Sequence, residues 1–182
     1  MNRPTSILWF RGADLRLADS PAVQQVVQTG GAVVPVYVHD PEAAGPWAPG
    51  INARAWLDSS LAELDRDLRT RHSRLIFRTG ASEQVLSDLA QETGALQLVF
   101  ARRWEPWAQA QEARVSAAMD SKIHTVVVPA NLMLEPGSLL TGKGTPYRVF
   151  TPFWKRWRRA SFPTRGVFPA PTRIPGPSTW PD

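Results

Sequence analysis

Residues 137–154 read GSLLTGKGTPYRVFTPFW. Gly137, four residues, Gly142 and Lys143 have most of the spacing of a phosphate-binding loop, whose backbone N–H groups cradle phosphates and whose lysine reaches the terminal ones. Three features argue against nucleotide hydrolysis here. The next position, where Ser or Thr would ligate magnesium, is Gly144. The stretch follows the fifth apolar strand-like segment, whereas a phosphate loop joins the first strand to a helix. Pro146 also breaks any helix that would start there and offer N-terminal N–H groups. The aromatic, basic remainder suggests a second chemistry, a nucleic-acid surface.

Other catalytic constellations fare no better. Cysteine is absent, which excludes disulfides, thiolate catalysis and cysteine-ligated metals. His39, His72 and His124 are scattered, against a histidine-rich metal site, and none stands with a Ser or Cys nucleophile in a recognisable turn. After the first strand, RGADLRL has one glycine where a dinucleotide fingerprint needs G-x-G-x-x-G. The carboxylates of LDRDL (64–68) fall on the solvent face of an amphipathic helix. Two features stand out. His39 sits beside Asp40 at a strand's carboxyl end. Tryptophan is abundant, eight in 182 residues, with Trp9, Trp56, Trp104 and Trp107 at strand ends or on flanking helices. Trp104 and Trp107 flank Glu105–Pro106 beside Arg102 and Arg103, a combination suited to a flat conjugated ring with a polar edge.

Alternating apolar runs and helical periodicities position these residues. Strands are expected at 6–11, 32–38, 73–80, 96–101 and 123–129. Helices are expected from Pro21, capped by Asp19 or Ser20 and stopped at Gly30–Gly31, then at 52–71, at 81–95 opening with Ser82, and at 105–121. Pro35 within the second strand favours a peripheral place in the sheet. The pattern predicts an α/β fold: a Rossmann-like, doubly wound, five-stranded parallel sheet with helices on both faces, followed by a Pro-rich linker. Ligands in such sheets lie beyond the carboxyl ends of the strands. That singles out residues 11–14, 39–40, 80, 102–107 and 129–131. The expected organisation is a core at 1–130, a closing segment with a helix of the same domain at 131–160, and a linker or tail at 161–182, where six prolines fall in the last 23 residues.

The composition, 43% hydrophobic and 20% charged, is that of a soluble globular protein. No run approaches the roughly 20 apolar residues needed to span a bilayer. The N-terminus is too soon interrupted for a signal peptide, so a cytoplasmic protein is expected. Residues 136–181 hold eight Lys/Arg and no Asp/Glu, while residues 1–135 hold 13 against 15. The positive excess thus lies in the last quarter, which fits either a solvated helix or weak phosphate contacts.

Three segments together resemble one family. ILWFRGADLRLADSPAV resembles the W-F-R-R-D-L-R-L-x-D-N-P opening of DNA photolyases and cryptochromes. NARAWLDSSLAELDRDLR is similar to that family's first long helix, and GTPYRVFTPFWKRW to its G-x-P-Y-x-V-F-T-P-F-x-x-x-W segment. The resemblance runs in order over about 6–159. It departs in one extra residue and one lost arginine in FRGADLRL, and in N-A-R-A-W for the usual S-R-W-W. It implies an N-terminal α/β domain that holds a light-harvesting antenna chromophore. FAD and the DNA-lesion pocket are implied only for a helical C-terminal domain that nothing in this sequence matches.

The chain is therefore expected to be no enzyme by itself, its parent being a deoxyribodipyrimidine photo-lyase. It is expected to partner the C-terminal domain, to touch DNA weakly through 155–159, and to meet no membrane. Folate-binding members carry an Asn-Glu pair where Trp107 and Ala108 stand, and Glu105–Pro106–Trp107 is closer to the E-P-Y of members that bind 8-hydroxy-5-deazaflavin or FMN. Either of those chromophores is thus expected rather than methenyltetrahydrofolate. The resemblance implies cofactor contacts from Arg11, Asp14, Tyr37, His39, Asp40, Arg54, Glu105 and Trp107. The alternatives are the sensory domain of a cryptochrome and a free-standing Rossmann-type nucleotide-binding or interaction module.

Overall fold

A computed structural model describes residues 4–129, 132–160 and 166–181. Five parallel strands form one sheet: β1 (Ser6–Phe10), β2 (Val33–His39), β3 (Ile76–Thr79), β4 (Gln97–Ala101) and β5 (His124–Val128), ordered β3-β2-β1-β4-β5. Between them run α1 (Pro21–Thr29), α2 (Ile51–Arg69), α3 (Ser82–Thr93) and α4 (Pro106–Ala118). The expected α/β sheet is therefore present, with each element close to its expected span.

Side-chain alternation along the strands sorts the core into two layers. Leu8, Phe10, Val33 and Val99 pack against Val23 and Val26 of α1 and Leu61, Leu64 and Leu68 of α2. Ile7, Trp9, Val34, Val36, Leu98 and Phe100 face the other way, onto Leu86 and Leu89 of α3 and Val115 of α4. The sheet is covered on both faces, so β1 at its centre is apolar almost throughout. The chain builds outward from β1 to β3 and then returns to β4 beside β1. That reversal opens a crevice beyond the carboxyl ends of β1 and β4.

Local details decide the ends of elements. Ser20, not Asp19, caps α1, its Oγ accepting from Val23 N–H, and Gly30 closes the helix in the left-handed conformation. Pro35 pointed to a peripheral strand, yet β2 lies one place inside the edge. Pairing with the edge strand β3 begins only at Val36, so the proline falls just outside that ladder. Ser82 does not cap α3: Ala81 holds that place, and Ser82 is fully buried with another partner.

The Pro-rich end differs most from its sequence reading as a linker or tail. Residues 161–165 and 182 lie outside the described residues, as do 130 and 131 of the strand-end segment 129–131. From 168 the chain has no helix or strand, but it is a strap packed on the core. Ile174 is fully buried among the residues facing α1 and α2. The strap's carbonyls accept from the core: Pro175 from Val33 N–H at 2.7 Å, Phe168 from Asp19 N–H at 2.7 Å, and Pro171 from Arg71 Nε at 3.0 Å. Proline cannot donate to a ladder but can accept, so a Pro-rich segment suits this role. Gly176 permits it, since a Cβ there would run into the indole of Trp180. The compact units are thus Met1–Ala130 with Phe168–Asp182, and Asn131–Val167.

Within Asn131–Val167 the phosphate-loop lookalike is a tight turn. Thr141 N–H donates to Thr145 O and Gly144 N–H to Thr141 O, both at 2.9 Å, and Leu140 bridges Pro146. Those N–H groups are occupied internally. The unit's helix α5 (Phe150–Trp157) stacks Phe150 on Trp154 and Trp154 on Trp157, with centroids 6.0 and 5.0 Å apart. Among the described residues no helix is long and apolar enough to cross a membrane, and no three His, Cys, Asp or Glu group to hold a metal.

Candidate functional site

The ends of β1, β2 and β4, the start of α2 and the first turns of α4 enclose a cavity of about 710 Å³. Seven of the eight candidate residues line it: Arg11 after β1, Tyr37, His39 and Asp40 at the end of β2, Arg54 on α2, and Glu105 and Trp107 where β4 leads into α4. Asp14 is not among the lining residues.

The site is built around Arg11, which is 4% exposed. Its Nη1 donates to Glu112 Oε1 at 2.5 Å and its Nη2 to Gln111 Oε1 at 2.8 Å. The guanidinium also lies 4.5 Å above the Trp9 ring. Burial lowers the pKa of Arg11, and the charge and hydrogen bond of Glu112 oppose that shift. From Gln111 the hydrogen bonds continue in one direction: its Nε2 donates to Ser82 Oγ at 2.8 Å, and Ser82 Oγ donates to Asp40 Oδ2 at 2.9 Å. Burial raises the pKa of Asp40, but bonds from Ser82, Gln111 and Ala43 outweigh it, leaving the carboxyl below its ordinary value. Asp40 thus ties the end of β2 to the start of α3, and its carboxylate is already well supplied with donors.

The sequence reading missed Gln111, Glu112 and Ser82. A signal existed: Ala108, Gln111, Glu112 and Val115 are the buried residues of α4, at the three- and four-residue steps of one helix face. Two polar residues on a buried face imply a buried partner, and Arg11 is that partner.

The walls are aromatic and cationic. Arg103, which the sequence placed beside Trp107, lies 4.9 Å over the Trp107 ring and bonds Glu105 at 2.5 Å. Burial pushes the pKa of Glu105 up, but Arg103 more than reverses this, so the carboxyl is lowered and ionised. Trp47, on the 3₁₀ turn Gly45–Trp47, and Trp56 on α2 complete the rim at 76% and 78% exposed. Trp9 is a core residue, edge-on to Phe100, and Trp104 does not line the cavity. Arg54 forms no ion pair among the described residues. The arrangement offers flat apolar faces, one unpaired cation and fixed donors and acceptors. Ser82, whose hydroxyl donates to Asp40, is fully buried and does not line the cavity.

Asp14 supports the site from behind. Its Oδ1 accepts Arg11 N–H at 2.7 Å. Burial pushes its carboxyl up to about 6, against that bond and the charges of Arg11, Arg103 and Arg16. A folded pKa above the unfolded value means the folded state holds the proton more tightly. The stabilisation is therefore present below about pH 4 and is lost as pH rises through about 6. Asp14→Asn keeps an acceptor and removes the titration. Relative to the unchanged protein it should gain stability between pH 4 and 7, by at most about 3 kcal/mol, as read from urea midpoints at each pH.

The sequence pattern of DNA photolyases matches residues 6–174. The chain belongs to the DNA photolyase family. A deoxyribodipyrimidine photo-lyase of Agrobacterium fabrum is 37% identical over 176 residues, 96% of this chain and 36% of that protein. Cryptochrome-1 of Arabidopsis thaliana is 35% identical over 153 residues, covering 83% of this chain and 22% of that one. The crystal structure of a bacterial class III photolyase from Agrobacterium tumefaciens superposes with a TM-score of 0.85 at 33% identity, covering 100% of this chain and 37% of that one. The chain thus spans little more than a third of these photolyases' length, and it corresponds to the family's N-terminal α/β domain. Where the family opening has a second arginine, this chain has Gly12 and Ala13, and both line the cavity.

Proposed function

We propose that the cavity binds the antenna chromophore of a photolyase. The observation that carries this reading is the cavity of about 710 Å³ at the strand-order switch, walled by Trp107, Trp47, Trp56 and Tyr37. Its size falls within the range of small-ligand sites, which are mostly apolar with a few placed polar groups. When bound, the chromophore absorbs light and passes the excitation to a flavin, which requires proximity and dipole alignment but no acid or base from the protein. That matches a cavity whose lining holds no serine, threonine or cysteine.

Trp107, braced by Arg103, would supply a stacking face, and Glu105 and His39 edge contacts. Arg54 would meet an anionic substituent. Arg11 and Asp40 hold the floor and need not touch the ligand. The preference for 8-hydroxy-5-deazaflavin or FMN over methenyltetrahydrofolate rests on Trp107 and Ala108 at the positions of the folate-binding Asn-Glu pair. On this reading FAD, the lesion pocket and repair of pyrimidine dimers belong to a helical C-terminal domain, and DNA meets this part only weakly, through 155–159.

Reconstitution tests the assignment. Incubation with each chromophore and gel filtration should leave deazaflavin or FMN on the protein, with a band in the near ultraviolet or blue. Trp107→Ala should weaken binding by about 10- to 100-fold, the range for losing one well-packed aromatic contact. Unchanged affinity in Trp107→Ala would refute the placement.

A further inference from the structure

Residues 45–50 read GPWAPG, a tryptophan set between two prolines and two glycines, and Trp47, Ala48 and Pro49 line the cavity. This stretch is held far more loosely than the cavity's floor. From 41 to 56, Ala44 alone is buried, and the buried residues of α2, Leu61, Leu64 and Leu68, all lie in its later turns. Backbone hydrogen bonds stay local: Trp47 N–H donates to Ala44 O at 2.9 Å and Ala48 N–H to Gly45 O at 3.1 Å. The root is fixed, because Ala43 N–H donates to Asp40 Oδ1 at 3.1 Å and Asp40 is tied to Ser82.

Composition makes the stretch a stiff plate between two pivots. Pro46 and Pro49 restrict the backbone on either side of Trp47. Gly45 has φ 49°, a left-handed conformation, and a Cβ there would meet nothing within 4 Å. Conformation rather than space therefore calls for glycine. Gly50 starts α2 with no side-chain cap. Closing motions are absorbed by a few loop residues of this kind at the ends of elements. The side chains that 45–50 turns to the cavity are apolar, and both Trp47 and Trp56 at the rim are largely exposed. An exposed indole beside a cavity favours the conformation that removes it from water.

We propose that residues 45–50 are a hinged cover that pivots at Gly45 and Gly50 and closes Trp47 over a bound planar ring, setting how slowly the ring leaves. This rests on the chromophore reading of the cavity. Trp47 and Trp107 then have different roles. Trp107, with Arg103 over its ring, is a fixed face present before the ligand arrives, and Trp47 is a moving one that retains it.

Stopped-flow mixing of the chain with FMN and with 8-hydroxy-5-deazaflavin, followed by the ligand's own fluorescence, tests it. In the unmodified chain the observed binding rate should level off at high ligand concentration, because closure follows encounter. Trp47→Ala should abolish the plateau, leaving a rate linear in ligand, and should speed release by about tenfold, the scale of one aromatic contact. Gly50→Ala fits the observed backbone and touches no ligand, so it should lower the plateau while leaving the initial slope unchanged. Binding whose rate is linear in the unmodified chain, or a plateau that survives Trp47→Ala, overturns the proposal and leaves the chromophore reading intact. No binding of either ligand overturns both.

Discussion

Glu112→Ala should cost about 3–5 kcal/mol of unfolding free energy, the usual price of removing one partner from a buried ion pair. Glu112 Oε1 accepts from Arg11 Nη1 and from Arg103 N–H, the latter at 2.8 Å. Its loss removes the carboxylate partner of a guanidinium that is 4% exposed and leaves it only its bonds to Gln111 and the Ala108 carbonyl. Glu112→Gln retains an acceptor and should cost less. The pair is diagnostic, because a merely space-filling Glu112 would make Gln nearly neutral and Ala only a small cavity. Urea denaturation of both variants reads the difference, and a loss below about 1 kcal/mol in Glu112→Ala would show that Arg11 is held by other contacts. Chromophore affinity should fall with it, since Arg103, which braces Trp107, hangs on the same carboxylate.

Ile174→Ala should destabilise the sheet domain by about 2–5 kcal/mol, as for other buried isoleucines. A residue in a solvated linker would change stability by less than about 0.5 kcal/mol. The side chain lies with Leu8, Val23, Val33 and Leu68 in one core layer, and the backbone around it donates to Arg71 O at 2.9 Å and accepts from Val33 N–H. Unfolding should remain a single transition with a lowered midpoint, because the strap and sheet share one core. A separate early transition, or none, would mean that the strap detaches from a core able to fold without it.

These two residues mark where sequence reading stops. The sheet, its helices and the crevice were legible because each strand is a short apolar run and each helix keeps its apolar spacing. The location of the cavity followed from strand ends alone. Its support did not. Gln111 and Glu112 share a helix face with Ala108 and Val115, but their partner Arg11 lies about a hundred positions away in sequence. Ser82 has the composition of a helix cap, yet Asp40 takes both its N–H and its Oγ–H. The last residues are Pro-rich, and composition cannot distinguish an extended linker from an extended strap. Only the burial of Ile174 and the carbonyls that accept from the core do so.

On the reading proposed above, the crevice at β1, β2 and β4 is a chromophore site. Equilibrium dialysis of the unmodified chain against 8-hydroxy-5-deazaflavin, FMN and methenyltetrahydrofolate, followed by visible circular dichroism, tests it most directly. Each chain should take up about one equivalent of deazaflavin or FMN, with an induced dichroic band from a ring held in one orientation. A chain that concentrates none of the three and shows no induced band would contradict it.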